Sequence, residues 1–291
     1  MSVQTAAPST SRVREELQTR GYAVLPRLLP DSEVARVRDA VTAVYDKHGW
    51  LATGERGEKG PVPEGSRRDG APGWWRFIQD VQSLEAFHRL AHHPALTGAT
   101  SEVVGNRALN HPRRHLTPVN PGFWVPPHQE FTYIQGTPRF ITAFVPLTTF
   151  TEGECELRLA TTFERTVRPL RRTETAGVEA LLPACTGWQS VSLRPGDVVL
   201  IHSLAVRAVS ENTAGTLKLA AQYRYQPART PVCKATIKPE HYPRLPDWNV
   251  IAKGWRSKRW IVPPMLPKLV DYRMPPTIET WHEVFAEDDL A

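Results

Sequence analysis

From Arg113 onward the chain changes to a period of two, and that change limits its fold more than any other feature. Successive side chains of a strand point to opposite faces, so apolar residues at every second position mark a half-buried sheet. Segments of this kind are His115–Val119, Phe131–Ile134, Phe140–Leu147, Glu156–Leu159, Gln189–Leu193, Asp197–His202 and Thr216–Tyr225. Turn residues separate them at Gly136-Thr137-Pro138, Glu152-Gly153 and Pro195-Gly196. Many short strands at regular spacing predict a β-sandwich or barrel, mainly β with flanking helices.

The first third of the chain reads differently. Residues 1–12 form a loose tail, followed by a helix over Val13–Arg20 and a strand over Tyr22–Leu25 ended by Pro26. Asp31 is placed to cap the next helix, whose apolar face is Val34, Val37, Val41 and Val44. Leu51–Gly73 holds six glycines and three prolines and sustains neither helix nor sheet over its length. A segment this long and irregular is either an active-site lid or an insert. A helical stretch over Ser83–His92 follows Trp74-Trp75, and the Pro- and Trp-rich end, 239–291, is expected to wrap the outside. With no internal repeat, 13–291 reads as one domain.

Composition removes several classes. The net charge is +6, but its basic residues are scattered as pairs such as Arg67-Arg68, Arg113-Arg114 and Arg171-Arg172. No basic stripe with interleaved aromatics points to nucleic acid, and the excess suits an anionic partner such as a carboxylate, a coenzyme A thioester or a carrier protein. No apolar run is long enough for a bilayer, and Met1–Ser11 lacks the apolar core of a secretory signal. Three scattered cysteines, Cys155, Cys185 and Cys233, fit a reducing compartment. A cytoplasmic location and no membrane partner are the expectations.

The chemistry centres on His128-Gln129-Glu130, just after Pro126-Pro127. Two apart on a strand, His128 and Glu130 turn an imidazole and a carboxylate to one face. With a distant His they would complete the facial triad of non-haem Fe(II) oxygenases. By itself His-x-Glu is a weak signal.

Its surroundings add more. The run HQEFTYIQGTPRFITAFVPL resembles the first iron-ligand stretch of the phytanoyl-CoA dioxygenase family, and RPGDVVLIHSLAVRAVSENTAGTLKLAAQYRYQ resembles that family's second signature. GYAVLPRLLPDSEVARVRDAV is similar to its N-terminal strand and helix. The resemblance runs from about Val13 to Trp255. It implies a double-stranded β-helix, a jelly-roll or cupin-like barrel, of the Fe(II)/2-oxoglutarate oxygenase superfamily. In that family a His stands five residues after the position of His202 as the third ligand; here the residue is Arg207. The family's Arg for the distal carboxylate of 2-oxoglutarate is Lys218, and its Asp is Glu130.

These departures differ in weight. Glu keeps a carboxylate, and Lys keeps a charge while losing the bidentate fork. Arg207 has no lone pair for a metal and stays protonated. Rescue of the triad would fall to His202, which faces the other way on a regular strand, or to His115. The expected alternative is that Arg207 pairs with Glu130 beside His128. The expectation is therefore an enzyme without a metal or other cofactor. Its catalytic set is His128, Glu130, Arg207 and Lys218, acting by acid–base chemistry on a small, anionic organic acid or natural-product intermediate. Isomerisation, cyclisation, elimination and hydrolysis all suit such a set. The rivals are an Fe(II)/2-oxoglutarate hydroxylase with an unusual ligand set, using His128, Glu130 and His202 or His115, and a non-catalytic ligand-binding or scaffold protein. Trp74, Trp75, Phe123 and Trp124 are expected near the mouth, suiting a flat or apolar ligand.

Overall fold

The computed structural model describes residues 10–53, 59–61, 72–105, 108–173, 177–239, 245–263 and 268–273. Helix α1 (Thr10–Thr19) leads into β1 (Tyr22–Leu25) and α2 (Asp31–Lys47). Val34, Val37, Val41 and Val44 are buried on α2, as their spacing requires. Asp31 is not the cap: Pro30 holds that place in an extended conformation, and Asp31 opens the first turn. There its charge, with that of Glu33, faces the positive end of the helix dipole.

The irregular segment begins with a two-stranded piece, β2 (Leu51–Thr53) against β3 (Lys59–Pro61). Most of the rest of it, where a lid or insert was expected, lies outside the described residues, as do most of the N-terminal tail and much of the C-terminal end. Three helices follow: α3 (Trp74–Gln82), α4 (Glu85–Leu90) and α5 (Pro94–Val104). The expected single helix over Ser83–His92 is thus only α4, whose neighbours were not anticipated. Trp74 and Trp75 belong to α3, not to a mouth. Trp74 stacks with Trp50 at 6.4 Å in the core beneath the helices, because α3 turns its apolar face, with Phe77, to Tyr45 on α2.

The sheets carry the rest. The strands are β4 (Ala108–Asn110), β5 (His115–Val119), β6 (Val125–Gln129), β7 (Ile141–Pro146), β8 (Leu157–Ala160), β9 (Leu170–Thr173), β10 (Gly177–Ala180), β11 (Trp188–Val191), β12 (Val198–His202), β13 (Val206–Val209) and β14 (Lys218–Pro227). A six-stranded antiparallel sheet runs β1-β12-β7-β14-β4, with β5 also on β14; a four-stranded one runs β11-β8-β13-β6. The fold is mainly β with flanking helices, two antiparallel sheets of the jelly-roll kind. Phe131–Ile134, expected as a strand, is a helical turn, α6, entered through Glu130 in the right-handed helical region. The donor that a strand would have spent on a neighbour goes instead from the Phe131 amide to the Ser203 carbonyl at 3.0 Å.

β14 shows how sequence parity builds two cores. Leu219, Ala221, Tyr223 and Tyr225 pack outward under the helices with Ala143, Val145, Val198 and Leu200. Ala220 faces inward with Phe144, Leu157, Leu159, Val199 and Ile201. Removing one of these buried Leu or Ile side chains to Ala is worth about 2–5 kcal/mol. The C-terminal strap includes the short helix after α7 (Lys234–Ile237), α8 (Trp248–Ile251), and a 3-10 turn over Lys258–Ile261. It docks on α4 where Glu85 accepts from the amides of Arg256 and Ser257 and from the Trp260 indole. Among the described residues no helix is long and apolar enough to cross a membrane.

Candidate active site

Strand pairing brings the first two groups together. β13 lies antiparallel to β6 with Arg207 opposite His128, so the two side chains stand side by side on one face. The Arg207 Nε donates to His128 Nε2 at 3.2 Å. On the other side of the ring Nδ1 donates to the Pro126 carbonyl at 2.9 Å, which makes Nε2 the acceptor nitrogen. Glu130 no longer belongs to the strand, yet its carboxylate returns to the same point, 3.9 Å from His128 Nε2. Between them Gln129 points away and ties the next loop, donating to the carbonyls of Thr166 and Leu204 at 2.8 and 2.7 Å.

Glu130 is the hub. Arg207 Nη2 donates to its Oε2, and Arg224, on the inner face of β14, donates from Nε to its Oε1 at 2.6 Å. All three side chains are buried: Glu130 is 4% exposed, Arg207 2% and Arg224 4%. Arg207 Nη2 also reaches the Gln222 carbonyl oxygen at 2.5 Å, and Gln222 donates to Thr117 on β5 at 2.5 Å. Two guanidiniums thus share one carboxylate, and a positive charge is left over.

The electrostatics follow from that surplus. Burial works to protonate the Glu130 carboxyl, but Arg224 and Arg207 outweigh it and hold the group far below the carboxylate range. Burial and Arg207 push His128 down to about 4, so its ring is neutral at pH 7. His115 begins β5 within the same field; it stays accessible although deep among arginines, and its imidazolium is disfavoured by desolvation and by Arg224. Tyr133, 39% exposed, stands edge-on to His128 with ring centres 5.9 Å apart. Its phenol is pushed up to about 12 by burial and by Glu130. Among the aromatics expected at the mouth, Trp124 is exposed and Phe123 packs into the inner core.

The remaining residues singled out from sequence lie apart. Lys218 is on the same face of β14 but four residues from Gln222, about 13 Å along the strand, where it sits opposite Val119 and near Cys155. His202 closes β12 on the outer face, in step with Val198 and Leu200 and edge-on to Phe163 at 5.1 Å; a turn separates it from β13 and Arg207. Arg224 was missed by the sequence reading, although its even spacing from Lys218 on an alternating strand places it inward.

The donor set does not suit a facial Fe(II) triad. Arg207 offers no lone pair where a third imidazole would approach, and both Glu130 oxygens already bind guanidiniums. Among the described residues no three His, Cys, Asp or Glu side chains are grouped to hold a metal ion.

This antiparallel jelly roll, with a His-x-Glu pair and basic residues on its inner face, has the fold of the 2-oxoglutarate oxygenases. The sequence profile of the phytanoyl-CoA dioxygenase (PhyH) family matches residues 17–218, and the chain belongs to that family. No curated protein sequence matches it significantly. Among solved structures it is similar to the non-haem alpha-ketoglutarate-dependent epimerase SnoN of nogalamycin biosynthesis. That match has 16% identity and a TM-score of 0.57, covering 76% of this chain and 84% of that one. It is also similar to the carbocyclase SnoK of the same biosynthesis, with 18% identity and a TM-score of 0.55 over 83% and 94%. EvdO2 from Micromonospora carbonacea var. aurantiaca matches with 20% identity and a TM-score of 0.53 over 77% and 93%. Identities this low establish the shared fold. The family is named for a dioxygenase, and SnoN and SnoK are enzymes of natural-product biosynthesis.

Proposed function

We propose that this chain is a repurposed family member that works without iron. In this reading it carries a small organic acid or natural-product intermediate through a non-oxidative proton transfer, of the isomerisation, cyclisation, elimination or hydrolysis kind. One observation supports the reading: Arg207, which the family resemblance aligns with the third ligand, joins Arg224 on Glu130. The leftover positive charge favours a carboxylate or a developing oxyanion in the mouth. Glu130, held ionised by two guanidiniums, serves as their anchor and not as a proton carrier. His128 is the base. An incoming carboxylate that takes the Arg207 Nε releases His128 Nε2 and cancels part of the field that depresses its basicity. Tyr133 keeps its proton and stands beside the ring as a donor, and Lys218, farther down the inner face, suits a second anionic end. SnoN is an epimerase and SnoK a carbocyclase, so outcomes of this kind occur on the fold, although both depend on alpha-ketoglutarate.

A second reading, a ligand-binding protein without catalysis, is favoured by the closure of the Glu130–Arg207–His128 contacts on themselves. The test is a substrate screen of organic acids followed by NMR, with and without a chelator, beside a 2-oxoglutarate to succinate assay. Turnover that survives chelation and is lost in His128→Ala is the expected result. Succinate formation that requires added Fe(II) would sink the iron-free reading. Retention of an acid without turnover, unaffected by His128→Ala, would leave the binding protein. Arg207→His restores the family's ligand residue and is expected to retain iron through gel filtration when wild type does not.

A further inference from the structure

A second basic cleft lies outside the barrel, where the ends of β12, β7 and β14 meet α1 and α5. It encloses about 340 Å³. Its rim carries Arg14 from α1, Arg139 from the turn before β7, and Arg165 from the loop after β8. Its floor is apolar, with Leu17 and Ile141 buried and Val104 partly so. No acidic side chain among the described residues lines it. Among the described residues none of the three arginines forms an ion pair with a carboxylate, while Arg14 donates only to the Glu102 backbone carbonyl, at 2.6 Å.

His202 completes the lining. Its Nδ1 accepts from the Leu204 amide at 3.2 Å, which leaves the proton on Nε2. That Nε2–H has no partner among the described residues and is available to the cleft. Burial and Arg165 push the ring down to about 4, so it enters as a neutral donor.

Three guanidiniums around one apolar floor repel each other unless an anion stands between them. A carboxylate brings one charge and two oxygens, enough for one bidentate arginine. A phosphate monoester brings nearly two charges and three peripheral oxygens, which can engage all three arginines. The floor asks for an apolar body attached to that head. We infer that the cleft between α1, α5 and the ends of β7 and β12 is a binding site for an amphipathic phosphate ester. Its head lies among Arg14, Arg139, Arg165 and the His202 Nε2–H, and its apolar part lies on Leu17, Val104 and Ile141. This inference does not depend on the chemistry assigned to the barrel mouth, whose charged residues face the opposite side of the large sheet.

Titration calorimetry with hexyl phosphate, inorganic phosphate and hexanoate tests it on the full chain. One hexyl phosphate is expected to bind, at least about tenfold more tightly than either probe that lacks one half of its chemistry. The His202 imidazole resonance is expected to move as the site fills. The triple substitution R14Q/R139Q/R165Q, confined to exposed side chains, is expected to weaken binding at least about tenfold; Arg139→Glu alone serves if that variant does not fold. Equal binding by wild type and the cleft variants would overturn the inference and move any affinity to the mouth. Absence of binding to wild type in the millimolar range would overturn it outright.

Discussion

The two arginine-rich regions of this molecule use the same side chain to opposite ends. In the barrel mouth Arg207 and Arg224 are buried and share Glu130, so one of their two charges is answered within the protein. At the outer cleft Arg14, Arg139 and Arg165 are exposed and share no acid. The first arrangement is part of the structure, because desolvated guanidiniums are tolerable only with a partner. The second is open, because solvent supports unpaired arginines until something better arrives. Burial on a shared carboxylate fixes the mouth arginines in the fold and leaves one charge for a ligand, whereas the outer arginines are held by no acid.

The largest expected effect breaks the pairing in the mouth. Glu130→Gln leaves two buried guanidiniums facing a neutral amide, and loss of one partner from a buried ion pair costs about 3–5 kcal/mol. Urea unfolding should show a loss of that size. Replacing Glu130, Arg207 and Arg224 together by apolar residues should recover much of it, since no uncompensated charge remains. If Glu130→Gln is as stable as wild type, the carboxylate is not the hub that its contacts indicate.

Much of this contrast was legible in the chain. Alternation along Lys218–Tyr225 sorts residues into an inward and an outward set, and parity along Val198–His202 puts His202 outward with Val198 and Leu200. The same parity marks Arg224 as a partner for Glu130, but parity says which face a side chain takes and not which neighbour it meets. Glu130 itself was beyond local reasoning. Phe131–Ile134 is apolar enough for a strand, and it turns helical because the Ser203 carbonyl, more than seventy residues on in the chain, takes its first amide. Trp74 was misplaced for a similar reason: aromatics suit a mouth and a core equally, and only packing against Trp50 and Phe77 decides.

The second effect in size is a shared loss of stability in acid. Desolvation holds His128 at about 4, His92 at about 4 and His111 at about 3, with His88 well below its ordinary value. Each has a folded value below its unfolded one, so the unfolded chain takes up protons first and stability falls as pH drops from about 6.5 toward 4. Glu130 extends the loss at lower pH, because its folded value lies below its ordinary one. Thermal melting across this range should decline steadily, and a flat profile between pH 7 and pH 5 would show that these rings are solvated in the folded protein.

The smallest expected effect completes the contrast from the open side. Arg139→Gln removes an exposed cation that forms no ion pair among the described residues, so unfolding free energy should change by no more than about 0.5 kcal/mol. Tyr223→Phe gives the scale between the extremes: its hydroxyl, buried on the outward face of β14, donates to the Phe87 carbonyl at 3.0 Å, and its loss is worth about 1 kcal/mol. Should Arg139→Gln instead cost as much as Tyr223→Phe, this guanidinium would have a structural partner, and the cleft would resemble the mouth in kind. A neutral or slightly stabilising result, largest at low salt where the mutual repulsion of the three arginines is least screened, keeps the two regions distinct.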